Sequence, residues 1–300
     1  MIHAPGSRAA RRAPFAALLV AASVLTACAP QEAGAGGASS ATASASAGTA
    51  AGCPKGALAT RKAGTLTVGT DKPAYAPWFS DDRPENGNGF ESAVAYAVAD
   101  RLGYPKDKVS WVVSPFNRAF APGAKDFDFD INQVSINEDR RKTVDFSSGY
   151  YDVRQAVVAL KSSRFASAAG LAGLKGAKLG AQVGTTSLAS INDVIKPGQG
   201  PAVFDDNDLA KAALKNGQID ALVVDLPTAL YITAAEITDA KVVGQLEGGS
   251  SAEQFGLVLD KGSALTGCVS RAVDGLRSDG TLAGLEKRWL SDAVSAPVLT

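Results

Sequence analysis

After residue 60, apolar segments with the two-residue period of strands alternate with segments that have the period of helices. The predicted strands, in chain order, are residues 64–70, 109–113, 127–136, 155–160, 177–183, 219–224 and 255–259. The predicted helices are residues 89–102, one that begins at 184–187, residues 209–214, and two within 263–290. This alternation predicts an α/β protein with largely parallel sheets.

Ligands of such proteins lie beyond the carboxyl ends of the strands. Three segments of the chain hold this position: residues 71–78, residues 132–140, and residues 184–187 together with Asp225. Because the carboxyl ends of parallel strands meet at one edge of a sheet, these segments are where candidate ligand residues are expected.

The N-terminus has the pattern of an export signal. An arginine-rich start precedes an apolar stretch at residues 13–25, which is too short for the roughly 20 residues that span a bilayer. The residues Leu25-Thr26-Ala27 before Cys28 resemble a bacterial lipobox. Residues 1–27 are therefore predicted to be a lipoprotein signal peptide, with Cys28 as the lipidated residue. The alternatives are an ordinary secretory signal with a chance cysteine, or a buried helix.

Residues 29–52 consist almost wholly of Ala, Gly, Ser and Thr. Such a segment cannot bury enough apolar surface to offset the entropy of ordering it, so residues 28–60 are predicted to be a flexible tether. A tether behind a lipid anchor predicts a domain held at the extracytoplasmic face of the cell membrane. The remaining residues suffice for two modest lobes.

Charge and histidine content exclude several classes of function. The chain carries 30 basic and 30 acidic residues, whereas nucleic-acid-binding proteins concentrate Lys and Arg, so no nucleic-acid partner is expected. The single histidine, His3, lies in the predicted signal peptide. Histidine-based catalysis and ordinary zinc sites are therefore out of reach in the mature protein, and we expect no metal or cofactor.

Three cysteines occur, at positions 28, 53 and 268. If Cys28 carries lipid, an even number remains in an oxidising compartment, which predicts a disulfide between Cys53 and Cys268. The alternative is two buried free thiols.

Three candidate recognition groups follow predicted strands. Arg140 presents a planar guanidinium that can grip a carboxylate with two hydrogen bonds, although an isolated arginine is more often a solvated surface charge. Residues 184–187 offer hydroxyls and backbone N–H groups at a helix start, or simply a helix cap. Asp225 places a carboxylate at the end of a buried strand, where it suits an ammonium or caps the next helix. Together the three fit the two poles of an α-amino acid, both of which need partners when buried.

The chain resembles family 3 of the bacterial extracellular solute-binding proteins, the polar amino acid receptors of ABC importers. The matching motifs, in the family's order, are Thr67-Val68-Gly69-Thr70-Asp71, Gly89-Phe90, Val144-Asp145-Phe146-Ser147, Tyr150-Tyr151, Gly184-Thr185-Thr186, Val223-Val224-Asp225 and Lys287-Arg288-Trp289-Leu290. The resemblance covers about residues 61–291. It implies a two-lobed, type II periplasmic-binding-protein-like fold with a hinge.

The same resemblance assigns roles to residues. Arg140 and Ser135 are similar to the family's ligand-carboxylate contacts, as are Thr185 and Thr186 of the second lobe, and Asp225 to the acceptor of the α-ammonium. The expected side-chain contacts are Tyr75, Trp78, Phe116, Asp71 and Gln133. Asp130 and Gln133 replace residues that are small or apolar in the family, which suggests a basic or amide ligand.

Lobe 1 is expected to comprise residues 61–150 and 256–300, and lobe 2 residues 155–250, with crossings near 150–154 and 251–255. Because Arg140 and Asp225 then lie on different lobes, a ligand that binds both favours the closed state. The resemblance implies a monomer that delivers an amino acid to an ABC permease. The alternatives are a ligand-sensing module for a membrane partner, and a secreted dehydratase-like enzyme.

Overall fold

Two β-sheets organise the described residues of this computed structural model, which are 52–247, 253–290 and 295–300. The strands, in chain order, are β1 (Leu66–Thr70), β2 (Val109–Val113), β3 (Phe129–Asp130), β4 (Val144–Val153), β5 (Gln155–Leu160), β6 (Leu179–Gln182), β7 (Ala202–Phe204), β8 (Ala221–Asp225), β9 (Ala240–Leu246), β10 (Glu253–Asp260) and β11 (Val298–Leu299). The predicted signal peptide, Cys28 and most of the predicted tether lie outside the described residues.

The first sheet has the strand order β2-β1-β3-β10-β4, and the second β11-β9-β5-β8-β6-β7. Strand β1 is parallel to both of its neighbours, as is β6, and β9 is parallel to β11. Strand β10 runs antiparallel to β3 and β4, and β5 runs antiparallel to β8 and β9. Each sheet is the centre of one lobe. The two-lobed α/β arrangement matches the architecture expected from the sequence.

Helices cover the sheets. They are α1 (Phe90–Leu102), α2 (Phe116–Ala119), α3 (Glu138–Arg141), α4 (Thr186–Ser190), α5 (Asn207–Lys215), α6 (Leu226–Tyr231), α7 (Thr266–Ser278) and α8 (Thr281–Trp289). Helix α1 ends at Gly103, whose φ of 86° is left-handed, because glycine adopts this conformation without a Cβ penalty. Among the described residues, no helix has both the length and the apolarity needed to cross a bilayer.

Each lobe has its own apolar interior. In lobe 1, the aromatic rings of Trp78, Phe90, Tyr151 and Phe255 pack edge to face or tilted, with centroids 5.4–6.0 Å apart. In lobe 2, strand β5 is buried on both faces, so its residues alternate between two apolar clusters. Because β5 is covered on both sides, its residues after Gln155 form a continuous apolar run.

The chain first passes from lobe 1 to lobe 2 at Arg154, between β4 and β5. It returns between β9 of the second sheet and β10 of the first, and residues 248–252 lie outside the described part. A further passage precedes β11, which pairs with β9 in the second sheet. The assignment of residues 256–300 to lobe 1 was therefore wrong at its end, because Val298 and Leu299 complete an edge of lobe 2.

The predicted tether also ends earlier than expected. Cys53 is disulfide-bonded to Cys268 of α7, as predicted. The Gly56 N–H donates to the Leu102 carbonyl at 2.8 Å, and the Leu58 N–H donates to the Tyr104 hydroxyl at 3.1 Å. Residues 53–60 therefore pack on lobe 1, because a covalent link and a buried leucine offset the entropy of ordering them.

The strand predicted at residues 127–136 is much shorter in the structure, where it consists of the two residues of β3. Strict alternation would place its polar residues in solvent, yet Asp128 and Asp130 are buried. The Asp128 carboxylate accepts hydrogen bonds from the Arg61 and Thr67 N–H groups, both at 2.7 Å. Gln133 then adopts a φ of 48°, which ends the extended conformation.

Candidate ligand-binding site

A cavity lies where strands of both sheets end. Its lining combines lobe 1 and lobe 2 residues, namely Asp71, Tyr75, Phe116, Asn132, Gln133, Gln182, Thr185, Thr186, Ser187, Asn207 and Asp225. Seven of the ten predicted ligand residues are in this set. Arg140 and Ser135 adjoin it through contacts described below, and Trp78 does not take part.

The Arg140 guanidinium joins the two lobes. Its Nη1 donates to the Ser135 carbonyl at 2.7 Å in lobe 1, and its Nη2 donates to the Gly184 carbonyl at 2.9 Å in lobe 2. The guanidinium lies over the ring of Phe120, with Cζ 4.3 Å from the ring centroid, and 5.5 Å from that of Phe116. Burial lowers the pKa of Arg140 to about 10, so it remains a cation at neutral pH.

Helix α3 orients the side chain of Arg140. The Asn137 side chain caps the helix by accepting from the Arg140 N–H at 2.8 Å. The alternative of a solvated surface charge does not hold, because Arg140 is 7% exposed and is hydrogen-bonded through both its backbone N–H and its guanidinium. Its donors point at the boundary between the lobes, where a carboxylate would compete with the two carbonyls.

Asp225, the last residue of β8, is the anionic counterpart. Its Oδ1 accepts from Gln155 Nε2 at 2.7 Å, and the antiparallel register pairs these two residues across β8 and β5. Burial raises the pKa of Asp225 to about 8, and the charge of Glu253 adds to the increase. Asp225 is half-buried, and a carboxylate in such a site whose ionised form lacks a full cationic partner is a strong acceptor for an incoming ammonium.

Three hydroxyls surround these charges. Ser135 Oγ and Thr186 Oγ1, on opposite lobes, lie 3.3 Å apart. The Thr185 hydroxyl accepts from the Leu188 N–H at 3.1 Å and donates to the Gln182 carbonyl at 2.7 Å, so it caps α4. The helix-cap alternative considered for residues 184–187 is therefore present, alongside a hydroxyl at Thr186 that faces the other lobe.

The far end of the cavity is polar and acidic. Asp71 Oδ1 accepts from the Lys72 N–H at 2.7 Å, and burial raises the pKa of the Asp71 carboxyl. The Tyr75 hydroxyl and Asn132 Nδ2 are buried and find no hydrogen-bond partner among the described residues. Groups of this kind at a cavity wall leave donors and acceptors for the side chain of a ligand.

Gln133 lines the cavity, but its backbone N–H and its side-chain amide are hydrogen-bonded to Glu91. Its N–H donates to Glu91 Oε1 at 2.8 Å, and its Nε2 donates to Glu91 Oε2. Glu91 also accepts from the Tyr150 hydroxyl, and burial raises the pKa of Glu91 to about 7. In this arrangement Gln133 fixes the cavity floor, and its amide nitrogen is not free for a ligand.

Trp78 does not form the expected wall of the site. It is fully buried in the aromatic interior of lobe 1, and its Nε1 donates across the lobes to the Thr228 hydroxyl at 2.9 Å. The physical reason is its size, because an indole buries a large apolar area and needs only one polar partner. Trp78 is an interlobe contact beside the site.

Sequence reasoning missed Gln155 and Glu253. Ser135 Oγ donates to Glu253 Oε1 at 2.5 Å, and Gln155 Nε2 lies 3.2 Å from Glu253 Oε2. Ser187 Oγ donates to Gln155 Oε1 at 2.6 Å. Both missed residues are the first residues of the strands that follow crossings, so polar residues at crossings were the available signal.

A model of the bacterial extracellular solute-binding proteins, family 3, matches residues 66–292.

The chain belongs to this family.

This solute-binding protein is 30% identical to the glutamine-binding protein GlnH of an ABC transporter of Bacillus subtilis, over 71% of this chain and 77% of the relative. An ancestral arginine-binding protein bound to glutamine is a structural neighbour with a TM-score of 0.63 and 31% identity, covering 76% of this chain and 98% of the neighbour. The periplasmic-binding-protein fold expected from the motifs is thereby confirmed.

A second structural neighbour bears on the enzyme alternative. It is an ancestral amino acid-binding protein described as a precursor of cyclohexadienyl dehydratase, with a TM-score of 0.61 and 28% identity over 75% of this chain and 95% of the neighbour. This neighbour and the GlnH relative are both described as binding proteins.

Proposed function

We propose that this solute-binding protein captures a polar amino acid between its two lobes and delivers it to an ABC permease in the membrane. The observation that carries the proposal is the placement of Arg140 and Asp225 on opposite sides of one cleft. The first would bind the α-carboxylate with its guanidinium fork, and the second would accept from the α-ammonium. A lipid anchor at Cys28 would keep the protein beside the permease.

Closure follows from this division of contacts. A ligand bound by Arg140 of lobe 1 and by Asp225 and Thr186 of lobe 2 completes its hydrogen bonds only when the lobes meet. Its binding free energy therefore shifts the population toward the closed state. The closed form is then the form that the permease would recognise.

The side chain of the ligand is proposed to be cationic or an amide. Asp71 brings a carboxylate to the far end of the cavity, and amide side chains of Asn132, Gln182 and Asn207 line it. Asp71, Asp225 and Glu253 outnumber Arg140 among the charged groups around the site, so a ligand with net positive charge balances them best.

Isothermal titration against a panel of amino acids tests the proposal. We expect arginine, lysine or glutamine to bind with micromolar or tighter affinity, and glutamate and leucine to bind far more weakly. A decarboxylated analogue such as agmatine is the control for the Arg140 contact, because it keeps the cationic side chain and lacks the α-carboxylate. A preference for acidic amino acids would contradict the assigned side-chain class, and no binding to any amino acid would contradict the function.

A further inference from the structure

A second carboxylate, that of Glu253, shares a hydrogen-bond partner with Asp225. Glu253 accepts from Ser135 Oγ at 2.5 Å, and Gln155 Nε2 lies 3.4 and 3.2 Å from its two carboxylate oxygens. The same Gln155 nitrogen donates to Asp225 Oδ1 at 2.7 Å and lies 3.4 Å from Thr186 Oγ1. Glu253 therefore lies within hydrogen-bond distance of Ser135 in lobe 1 and of Gln155 in lobe 2.

The position of Glu253 in the chain explains this reach. Gln155 directly follows the crossing at Arg154, and Glu253 is the first described residue after the return crossing. Glu253 pairs with Val153 across β10 and β4, so the strand residues next to the two crossings are neighbours. A side chain placed here can hold groups on both lobes.

We infer that Glu253 is a positioning residue of the ligand site, which holds the Ser135 hydroxyl and the Gln155 amide and thereby orients Ser135 and, through Gln155, the Asp225 carboxylate that receives the α-ammonium. Its two oxygens serve two different donors, Ser135 Oγ and Gln155 Nε2. Gln155 in turn contacts Asp225, and Ser135 supplies the carbonyl that accepts from Arg140.

Glu253 also affects the ionisation of Asp225. The charged groups that act on Asp225 are Glu253 and Glu91, which disfavour its ionisation, and Arg140, which favours it. Glu253 is the stronger of the two acidic neighbours, after burial itself.

The inference rests on the proposed capture of an amino acid, and its test separates the two. Glu253→Gln preserves shape but replaces one acceptor oxygen by a donor, so it cannot serve both Ser135 and Gln155. We expect amino acid affinity to fall about tenfold at neutral pH, and the pH profile of binding to move to lower pH because Asp225 ionises more readily. Glu253→Asp, which keeps the charge, is expected to leave the pH profile near that of the wild type.

Asp152→Asn is the matched control. Asp152 is an exposed carboxylate on β4 beside the same crossing, and it accepts from Gln254 Nε2 at 2.6 Å. The variant removes the same charge without touching the cleft, so affinity and pH profile should stay unchanged. Thermal unfolding of all variants verifies that they fold.

A measurement on the ligand-free protein decides the inference even if the wild type binds no amino acid. The carboxyl carbon of Asp225, assigned by comparison with Asp225→Asn, can be titrated by NMR. Glu253→Gln should lower the pH at which Asp225 titrates, whereas Asp152→Asn should not. An unmoved Asp225 titration, or wild-type affinity with an unshifted pH profile in Glu253→Gln, would overturn the assignment.

Discussion

At the scale of single residues, Arg140 has the contacts that most directly suggest a task. Its guanidinium is buried, lies over Phe120, and is bonded to two carbonyl oxygens. Carbonyls are neutral acceptors, and a carboxylate forms stronger, charge-assisted hydrogen bonds with the same donors. A ligand carboxylate can therefore take over these bonds at a net gain.

Replacing Arg140 tests this directly. Arg140→Ala should abolish detectable binding, and Arg140→Lys should still cost about 3–5 kcal/mol, or more than ~100-fold in affinity, because lysine lacks the planar fork. Arg141→Ala is the neighbouring control, since the Arg141 side chain is 45% exposed and pairs with Glu138 outside the cleft. Calorimetric titration measures both, and retained micromolar affinity in Arg140→Ala would show that the arginine is not a ligand group.

The pH dependence of ligand binding is expected to follow the ionisation of Asp225. With a pKa of about 8 in the ligand-free protein, this carboxyl is largely protonated at neutral pH. An ammonium prefers the ionised form, so ligand affinity should rise between about pH 6 and about pH 8, and binding near neutral pH should release a proton. Titrations in buffers of different ionisation enthalpy measure that proton. Asp225→Asn should bind weakly at every pH and lose the trend.

The free energy of unfolding of the ligand-free protein should fall over the pH range in which ligand affinity rises. A carboxyl whose pKa is raised on folding destabilises the folded state at pH values above its unfolded pKa, and this cost disappears as the pH falls. Asp225→Asn should therefore raise the free energy of unfolding at neutral pH, on the order of 2 kcal/mol, because Asp225 is half-buried and solvent reduces the cost of its charge. Chemical denaturation measures the change, and a lower stability would contradict it.

The charged candidates were predictable, and their supporting residues were not. Arg140 and Asp225 follow recognisable strands, where polar side chains stand out from an apolar run. Gln155 and Glu253 begin strands, and their meeting depends on two crossings almost a hundred residues apart in the chain. Trp78 was misplaced because an aromatic residue in a loop gives no local sign of whether its ring enters a core.

At the scale of elements, the turn between β6 and α4 brings the lobes together. Gly184 has a φ of 77°, and its carbonyl accepts from Arg140. A Cβ at this position would collide with the amide of Asn117 in α2 of the other lobe. Glycine is thus required twice, for the backbone conformation and for the close approach.

Gly184→Ala should weaken binding about tenfold or more, because strain at positive φ and the Asn117 collision both oppose closure. The matched control is Gly284→Ala in α8, where a Cβ meets nothing within 4 Å. This control should keep wild-type affinity and gain slightly in stability, as helix propensity favours alanine. Small-angle scattering with and without ligand compares closure, and equal closure in Gly184→Ala would refute the argument.

The elements that sequence patterns found are those stabilised locally. Helix α1 and strands β1, β2 and β5 have clear periodicity and end signals. Strand β4 was missed because Ser147, Ser148 and Gly149 are poor strand formers, and the strand is held by pairing with the distant β10. Long-range pairing of this kind leaves no signal within a short window of sequence.

At the scale of the whole molecule, the disulfide should stabilise the fold without serving the site. Cys53 and Cys268 are 215 residues apart, and neither lines the cavity. The double variant Cys53→Ser/Cys268→Ser should lose about 2–4 kcal/mol of unfolding free energy and retain wild-type affinity. Denaturant titration and calorimetry measure the two quantities. Hydrogen exchange at residues 53–60 should accelerate, and equal protection would show that Leu58 and Gly56 hold the segment alone.

The same cross-link determines how mechanical load enters the protein. A force applied to the residues before Cys53 is transmitted through the disulfide to α7 of lobe 1. The two segments that connect the lobes do not lie on this route. Lobe 2 can therefore swing without doing work against whatever restrains the N-terminus. With the proposed anchor at Cys28, lobe 1 would be the tethered lobe, and we expect lobe 2 to close on the ligand without straining the tether.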